Sequence, residues 1–331
     1  MKLRLSFAGA VAGAMVAATS VSAADFTFKY GNEQPETSIR SQSMIFFETE
    51  LEKRSDGRID VENFFGGALG NEREMMDQVT AGLLQGTRGG FFADASGAFN
   101  LYQLPFLVAN WDEMQCLVGS DFTKGIEARA EANGYHIPAT GISQGFRAYT
   151  NNVRPITELA DLAGLKIREP QSDLMIATGT ALGSVPIAMP FSETYQAFQQ
   201  GVIDGQHNPP QNIWDFKVHE VQKYMTLTNH MTGPDPLIVS KAWYDGLPAD
   251  LQAIFDEVAV EALAKSDSLY REAENKVIEA MKEFVEINTL EAAALAGFQE
   301  AVGPVYAQMI DAGHFTQSDI DAARAAAQSC N

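Results

Sequence analysis

The sequence predicts an α/β protein built as two domains, and three observations support this. Strand-like and helix-like segments alternate through the first 133 residues, which is typical of a largely parallel sheet covered by helices. After residue 136 the segments change in length and order, so a second unit is expected. About 308 residues remain after the N-terminal segment described next, which is more than one hydrophobic core usually holds.

The first 23 residues predict a secretory signal that is cleaved near Ala23. Lys2 and Arg4 precede an uncharged, alanine-rich run, and residues 21–23 (VSA) are small enough for cleavage. An ordinary N-terminal helix would need a charged or capped start, which this segment lacks. The apolar run is too short to span a bilayer well, and no later stretch reaches the roughly 20 apolar residues of a membrane span. We therefore expect an exported protein.

The charge of the chain limits its partners. The formal net charge is −20, and cleavage of the signal makes it −22, because two basic residues and no acidic residue are removed. Such a chain repels nucleic acid and anionic lipid headgroups, so neither is expected as a partner. Salt screens the far field within about 8 Å, so only local cations would hold an anionic ligand.

The first unit reads as alternating strands and helices. Strands are predicted at residues 25–30 and 58–64, and helices over residues 36–55, 71–82, 111–118 and 121–133. Asn71 is the expected N-cap of the second helix and Gly82 its stop. Residues 86–90 (GTRGG) resemble a phosphate-binding loop only superficially and are interpreted as a turn.

The second unit starts with a long strand-like stretch. Further strands are predicted at residues 165–169 and 185–190, and helices over residues 171–182 and 192–200. Residues 201–210 are predicted to be a short strand that runs into a proline-rich loop. Residues 224–231 and 236–240 are predicted to be strands that cross back into the first sheet. Between Pro248 and Gly297 there is no glycine or proline, which favours one very long helix or two consecutive ones. Two more helices are expected around residues 291–310 and 317–328.

Signatures of catalysis or of cofactor binding are not evident. The five histidines are not spaced three or four apart, so no metal-binding pair on a helix is visible. The sequence has no P-loop, no GxSxG turn and no CxxC. Acidic residues are numerous, so a pair of catalytic carboxylates stays open, although none is marked by its context. The sequence therefore predicts binding rather than catalysis, with no metal or cofactor.

Cys116 and Cys330 are the only cysteines. In an exported protein the two thiols can pair, which would join the C-terminal tail to the region around Trp111. Two unpaired cysteines are the alternative, because the sequence does not give their distance.

Several segments, taken in order, resemble a known family. They are GALGNEREMMDQVTAG, LPFL, GFRAYTNN, DLAGLKIREP, ALGSVPIAMPFSETYQAFQQGVIDGQHNP and HEVQKYMTLTNH. Each is weak alone, but their order and spacing resemble the extracytoplasmic solute receptors of tripartite ATP-independent periplasmic (TRAP) transporters. The resemblance covers nearly all of the chain after the signal.

The resemblance implies a two-domain fold like that of periplasmic binding proteins, with hinge strands and a long helix lying along both domains. It assigns residues 24–144 plus 234–272 to domain I and residues 145–233 plus 273–331 to domain II. Ligand closes the cleft between them, and the closed receptor delivers it to a TRAP permease in the membrane. The ligand implied is a small organic acid, the location is the periplasm, and a monomer is expected for a diffusing receptor.

The resemblance also implies which residues bind the carboxylate. Arg168, at the exit of the strand Leu165–Glu169, would pair with it, and Arg147 would assist. Asn208 would hydrogen-bond the same group. The family usually has a glutamate before this asparagine, but here the residue is His207, which leaves the local hydrogen bonding and pH sensitivity open. The structural alternatives are a surface charge for Arg168, an internal ion pair for Arg147 and a turn for Asn208.

Other positions are candidates for the rest of the ligand site. Phe191 would pack on the ligand or belong to the core, and Phe92 lies where the first domain would face the cleft. Trp214 would cap the pocket or pack between helices. The end of the first strand, Asn32 or Glu33, would also contact ligand; a carboxylate there suits an amine or hydroxyl, and the alternative is a capping or solvent-exposed residue.

Two other functions compete with a TRAP receptor. A binding protein of the ATP-driven (ABC) type would share the fold class but not the ordered segments quoted above. A secreted enzyme acting on a small carboxylate would need an acid/base pair that converges on Arg168.

Overall fold

The computed structural model describes residues 24–90 and 92–330. The predicted secretory signal lies outside the described residues. Two mixed β-sheets with helices packed on them form the described part, which confirms the α/β class. Within this part, no helix is long and apolar enough to cross a membrane.

Strands are numbered in chain order through the described residues. They are β1 (Phe26–Gly31), β2 (Ile59–Phe64), β3 (Gly86–Thr87), β4 (Tyr135–His136), β5 (Thr140–Ile142), β6 (Ala148–Asn151), β7 (Lys166–Glu169), β8 (Val185–Ala188), β9 (Gly205–Asn208), β10 (Tyr224–Leu227), β11 (Pro234–Pro236), β12 (Ile238–Ser240) and β13 (Glu286–Thr289).

Helices are numbered in the same way. They are α1 (Ile39–Arg54), α2 (Glu72–Thr80), α3 (Trp111–Val118), α4 (Asp121–Glu131), α5 (Asp173–Ala181), α6 (Thr194–Gln199), α7 (Pro210–Asp215), α8 (Lys241–Tyr244), α9 (Ala249–Met281), α10 (Ala292–Ala301), α11 (Gly303–Asp311) and α12 (Gln317–Gln328).

The first sheet has the strand order β2-β1-β3-β12-β4. β1 runs parallel to β2 and to β3, as the alternation of the sequence predicted. β12 runs antiparallel to both of its neighbours. The prediction that residues 236–240 return to the first sheet is thus confirmed, and the return inserts an antiparallel strand between β3 and β4.

The second sheet has the order β13-β10-β6-β9-β7-β8. β7 is parallel to β8 and β9, whereas β6 is antiparallel to β9 and β10. The prediction that residues 224–231 cross into the first sheet is wrong, because β10 pairs with β6 and β13 instead. The alternation within one short strand does not specify its partner, so the sequence could not decide this point.

Two of the passages of the chain between the two sheets are extended segments, and they pair with each other; a third passage runs through α9. β5 lies between β4 of the first sheet and β6 of the second, and β11 lies between β10 and β12. β5 and β11 form an antiparallel two-stranded ribbon. This ribbon occupies the place of the predicted hinge strands. The assignment of residue ranges to two domains stays a prediction.

Helix α9 is the predicted long helix and has 33 residues. It packs against α1 beside the first sheet, against α7 beside the second and against β5 of the ribbon. Its first half buries Phe255 with Phe28 and Phe47 in edge-to-face contacts at 5.1 and 5.2 Å between ring centroids. Its last turns bury Val277 and Met281 in the core of the second sheet. One helix thus packs on elements next to both sheets.

Strand β13 was missed. Its residues lie in the stretch without glycine or proline that was predicted to be helix only, yet β13 pairs in parallel with β10 at the sheet edge. The β-branched side chains of Val285, Ile287 and Thr289 recur at every second position, which favours a strand. The helix expected around residues 291–310 is also interrupted, because α10 ends at Ala301 and α11 begins at Gly303.

Local capping explains several helix starts. Asn71 caps α2 in a capping box with Glu74, and Gly82 follows the helix at a positive φ of 71°, so both predictions at this helix are confirmed. The proline-rich loop after β9 is in fact the short helix α7. Pro210 occupies its first turn, where its missing N–H is no disadvantage.

The C-terminal helix α12 packs on α3 and α4 of the first part of the chain. A disulfide between Cys116 of α3 and Cys330 fixes it there, with the two Cα atoms 5.8 Å apart. The alternative of two unpaired cysteines is therefore excluded in this structure. The bond joins residues 214 positions apart and so restricts the unfolded chain strongly.

Replacing both cysteines by serine should lower the free energy of unfolding by about 2–5 kcal/mol, because the unfolded chain regains the entropy of the open loop. Chemical denaturation followed by circular dichroism measures the change. The double variant should be insensitive to reductant, whereas the wild type should lose a comparable amount of stability when reduced. Equal stability of oxidised wild type, reduced wild type and variant would contradict the prediction.

Candidate functional site

A cavity of about 90 Å³ lies between the elements of the two sheets. On the side of the first sheet, the cavity is lined by the segment after β1, the start of α2 and the segment after β3. On the side of the second sheet, it is lined by the segments after β7 and β8 and by the end of β9. Several of the segments that line the cavity thus follow directly after the carboxyl ends of strands. This is where ligands bind in open α/β sheets.

Six of the seven residues singled out from the sequence line this cavity. They are Glu33, Phe92, Arg147, Arg168, Phe191 and Asn208. The seventh, Trp214, is not among the lining residues. Its ring stacks on His219 at 4.5 Å and 8°, and lies edge-on to Phe284. The packing alternative for Trp214 is therefore the correct one, because the side chain leaves α7 on the face turned away from the cavity.

Arg168 lies at the exit of β7 and is only 5% exposed. Its Nε and Nη2 donate hydrogen bonds of 3.0 and 2.8 Å to the carbonyl oxygen of Met189. Its guanidinium carbon is 5.0 Å from the ring centroid of Phe191. Burial first, and then repulsion by Arg147, lowers the pKa of Arg168 to about 10, so the group stays charged at neutral pH. The alternative of an exposed surface charge is wrong.

Arg147 directly precedes β6, and its side chain is hydrogen-bonded to His207 of the neighbouring strand β9. Its Nε donates to Nδ1 of His207 at 3.0 Å, and its Nη2 donates to the carbonyl oxygen of the same residue at 2.6 Å. Burial lowers the pKa of Arg147 to about 10. No carboxylate of the described residues lies within ion-pair distance of Arg147 or Arg168. The predicted internal ion pair is thus replaced by a bond to an imidazole.

His207 is 1% exposed and lies behind Arg147. An arginine only donates, so Nδ1 of His207 is an acceptor and Nε2 carries the proton. Nε2 donates to Oε2 of Glu169 at 2.6 Å. Burial, followed by repulsion from Arg147 and Arg168, holds the pKa of His207 well below its usual value. The imidazole is therefore neutral and separated from the cavity, and its two nitrogens are bonded to Arg147 and Glu169.

Glu169 lies directly after Arg168 and is fully buried. Burial raises its pKa to about 8, although Arg147 and Arg168 act in the opposite direction. Its Oε1 accepts no hydrogen bond from the described residues. A Cβ on Gly179 would lie 2.9 Å from this oxygen, so the missing side chain makes room for the carboxyl group.

Asn208 ends β9 beside these charges and is 7% exposed. Its Nδ2 donates to Oε1 of Gln206 at 2.6 Å, which orients the amide and leaves its second N–H for another acceptor. Phe191 packs edge-on against Phe216 with 4.6 Å between centroids. The strand register and this ring contact, rather than the proline-rich loop, position the two side chains.

Glu33 connects the two sides of the cavity. Its Oε1 accepts a hydrogen bond of 3.3 Å from the backbone N–H of Ser192, which lies 159 positions away in the chain. Burial, followed by repulsion from Glu72, raises the pKa of Glu33 to about 7. Glu33 is therefore neither a capping residue nor a solvent-exposed one. Phe92, at 2% exposure, packs against Phe99 behind the same side.

The sequence analysis missed several polar lining residues. They include Gln34, Arg40, Glu72, Gln103, Gln144 and Asn212. Two signals were available: Glu72 directly follows the predicted N-cap Asn71, and Asn212 lies four residues after Asn208 in the sequence. Residues 86–90 were predicted to be a turn, but Gly86 and Thr87 form β3. The two glycines after this strand lie close to Glu72, because a Cβ on Gly89 or Gly90 would lie 2.9 Å from one of its carboxylate oxygens.

Arg40 lines the cavity but is already paired. Its Nη2 lies 3.3 Å from Oδ1 of Asp235, and its Nη1 lies 4.0 Å from Oε1 of Glu72. Arg88 also donates to Asp235, and it donates to Ser43 at 2.7 Å. The described residues hold no group of three or more side chains suited to a metal ion. The cavity therefore combines Arg147 and Arg168, which have no carboxylate partner among the described residues, with amide and carboxyl side chains.

Comparison with known proteins agrees with this geometry. The family model described as "Bacterial extracellular solute-binding protein, family 7" (DctP) matches residues 30–312. The C4-dicarboxylate-binding periplasmic protein DctP of Rhodobacter capsulatus is 30% identical over 317 residues, covering 91% of this chain and 94% of that protein. The 2,3-diketo-L-gulonate-binding periplasmic protein YiaO of Escherichia coli strain K12 is 32% identical over 286 residues, covering 86% and 87%.

A solved structure extends the match to three dimensions. The sugar acid binding protein DctPAm from Advenella mimigardefordensis, in complex with galactonate, superposes with a TM-score of 0.88 at 25% identity. The alignment covers 94% of this chain and 100% of that one. The resemblance inferred from the sequence is confirmed: this chain belongs to the bacterial extracellular solute-binding proteins of family 7, the solute receptors of TRAP transporters.

Proposed function

We propose that this protein captures a small organic acid in the cavity and delivers it to a TRAP permease. Arg168 binds the carboxylate, Asn208 donates to it, Phe191 packs on the ligand, and Glu33 and Phe92 complete the opposite side. Arg147, which lines the cavity and whose Nη1 is not bonded to the described residues, assists Arg168 in binding the carboxylate. The receptor acts in the periplasm as a monomer, after cleavage of the signal, and is not an enzyme.

The observation that carries the proposal is the bonding of Arg168. Nε and one N–H of Nη2 are used by Met189, which leaves Nη1 and the second N–H of Nη2. These two groups form a parallel pair of donors that matches the two oxygens of a carboxylate. The residue lines the cavity, and no acid of the described chain takes this place.

The same bonding makes closure depend on ligand. A buried guanidinium without a counter-charge costs several kcal/mol, because its hydration is lost and not replaced. In an open cleft, water solvates Arg168; closure removes that water. A bound carboxylate offsets the penalty and therefore favours the closed form over the open one.

The relatives support the ligand class. DctP of Rhodobacter capsulatus is named for C4-dicarboxylates, YiaO for 2,3-diketo-L-gulonate, and the Advenella structure holds galactonate. A carboxylate is the group that these ligands share. It is also the group that the free edge of Arg168 fits.

One observation favours a second function enough to be tested. Glu33 has a pKa near neutrality and lines the same cavity as Arg168, which a secreted enzyme would need in a general acid or base. However, its Oε1 already accepts from Ser192, and the imidazole of His207 is buried behind Arg147. The receptor function therefore has the stronger support.

Mass spectrometry of ligand released from natively purified protein should identify a small carboxylic acid. The same acid, added back at 100 times its dissociation constant, should stabilise the protein by about 2.7 kcal/mol in thermal unfolding. The acid should be recovered unchanged after prolonged incubation. Its conversion to a product would show an enzyme, and failure of every organic acid to bind would refute the proposal.

Arg168→Lys should weaken binding of the identified acid at least tenfold, or by about 1.4 kcal/mol, with the fold intact. Lysine keeps the charge but cannot present two parallel donors. Isothermal titration calorimetry measures the affinity, and circular dichroism the fold.

Arg154→Lys is the matched control for this substitution. Arg154 also binds backbone carbonyls, through Nε to Asp161 and Nη2 to Ala163, but does not line the cavity. Its replacement should leave the affinity unchanged. If Arg168→Lys also leaves it unchanged, Arg168 does not bind the carboxylate.

Glu169→Gln should flatten the dependence of stability on pH. The folded protein holds the proton of Glu169 up to about pH 8, whereas the unfolded chain releases it near pH 4.5. The wild type therefore loses stability as the pH rises from 4.5 to 8, by a few kcal/mol from this group. The amide introduced by the substitution cannot ionise, so the variant should lose less between pH 5 and 8.

Unfolding curves at pH 5, 6.5 and 8 measure this difference. Glu113→Gln serves as a control, because Glu113 lies outside the cavity at the start of α3 and accepts from Ala109. It should follow the wild type. Parallel pH profiles for the wild type and Glu169→Gln would show that Glu169 is ionised throughout.

A further inference from the structure

We propose that binding of the ligand carboxylate is coupled to the uptake of a proton by Glu33, so that the receptor captures its anion together with a proton. This inference rests on the proposed function and adds a regulation of the same site. It is carried by the position of Glu33 opposite the arginine that binds the carboxylate, and by the few partners of its own carboxyl group.

The carboxyl group of Glu33 is enclosed with little to compensate a charge. Glu33 lines the cavity and is 6% exposed. Its hydrogen-bond partner among the described residues is Ser192, whose backbone N–H donates to Oε1 at 3.3 Å. No basic side chain of the described chain lies within ion-pair distance of it. Gly67, which packs on its Cγ, brings no charge either. The ionisation of such a group is easily changed by a charge placed nearby.

Two charged side chains act on Glu33 from different sides of the cavity. Glu72, at the start of α2, repels its ionised form, and Arg168 of β7 stabilises that form. Arg40 also lines the cavity, but it is shared between Asp235 and Glu72. Burial, followed by the repulsion from Glu72, raises the pKa of Glu33 to about 7. Arg168 is therefore the cation that keeps part of the Glu33 side chains ionised at neutral pH.

A bound carboxylate removes this support. It neutralises Arg168, and it adds a negative charge to the cavity of about 90 Å³ that Glu33 lines. Both changes disfavour the ionised form of Glu33 and raise its pKa further. The fraction of Glu33 that was ionised then takes up a proton when ligand binds. By linkage, the affinity for ligand falls as the pH rises through the pKa of Glu33 in the free protein.

The other perturbed groups around the two ligand-binding arginines titrate outside the neutral range. Glu169 keeps its proton up to about pH 8, because burial raises its pKa. His207 and His230 stay neutral, because burial holds their pKa values well below the usual one. The two arginines themselves have pKa values that burial lowers only to about 10. Proton uptake between pH 6 and 7.5 is therefore the signature expected of Glu33.

Calorimetry in two buffers with different enthalpies of ionisation counts the protons taken up. Lactate and pyruvate are the probes, because both are ionised from pH 5.5 to 7.5, and the acid recovered from the native protein is measured beside them. We expect an uptake of about 0.5 protons per bound ligand at pH 7. At pH 5.5 the uptake should be close to zero, because Glu33 is then protonated before ligand binds.

The affinity should follow the same linkage. In the wild type it should fall at least about threefold between pH 6 and pH 7.5. Glu33→Gln replaces the carboxyl group by an amide of the same shape that cannot ionise. This variant should bind as tightly as the wild type at pH 6 and more tightly at pH 7.5, with an uptake close to zero at pH 7.

Glu127→Gln is the matched control. Burial also raises the pKa of Glu127 to about 7, and its carboxylate accepts a hydrogen bond of 2.7 Å from Thr140. Glu127 does not line the cavity. Its replacement should leave the proton uptake and the pH dependence of the affinity as in the wild type. The same loss of uptake in both variants would show that the effect is not local to the cavity.

The outcomes separate the inference from the proposed function. Binding by the wild type without proton uptake at pH 7 overturns the inference and leaves the receptor function standing. Uptake that persists in Glu33→Gln also overturns it, because another group then takes the proton. If neither the probes nor the recovered acid binds, both are refuted. Nuclear magnetic resonance tests the wild type without a substitution: ligand at pH 7 should move the carboxyl carbon signal of Glu33 to its protonated position, and an unmoved signal contradicts the inference.

Discussion

The burial of two guanidinium groups on either side of one strand is the constraint on which the cavity depends. β9 lies between β6 and β7 in the second sheet, and Arg147 and Arg168 lie at the ends of these two neighbours. Two cations this close would repel in a medium of low polarity. The residue of β9 between them, His207, stays neutral and donates to Glu169. A protonated imidazole at this position would add a third positive charge.

The support of this arrangement extends into the segments that join the sheets. Tyr149 stacks on His207 and on His230 with 5.0 and 4.9 Å between ring centroids. Nε2 of His230 lies 3.0 Å from Nδ1 of His207, and Oγ1 of Thr228 lies 2.7 Å from the other ring nitrogen of His230. Residues 228–232 lead from β10 to β11, so the chain that holds the imidazole also forms the passage between the sheets. The backbone N–H of Arg147 donates to Met231 in the same passage. The side chains around Arg147 and the segment that leads into the ribbon between the sheets are thus directly bonded to each other.

The sequence was sufficient for the features that depend on local pattern. The exit of β7 and the cap of α2 follow from residue type and spacing, and the resemblance placed Arg168 and Asn208 in the cavity correctly. The sequence was insufficient for features that depend on pairing between residues far apart in the chain. β13 has neighbours that favour helix, and only its pairing with β10 makes it a strand. Trp214 and Asn212 lie on the same short helix, and the sequence did not show that the indole leaves on the far face while the amide lines the cavity.

The two clusters of buried arginines differ in the charge of the carboxyl group that each contains. Asp235 lies between Arg40 and Arg88, and although burial raises its pKa, the two cations outweigh burial and hold the pKa below its usual value. That carboxylate is ionised, and its negative charge is paired with both arginines within the protein. At Glu169 the balance is reversed: burial outweighs Arg147 and Arg168, and the carboxyl group keeps its proton to about pH 8. The second cluster therefore lacks the negative charge that the first contains. In the proposed function, an acid that enters the cavity supplies this charge, and the site prefers anions because the protein places no ionised carboxylate of its own there.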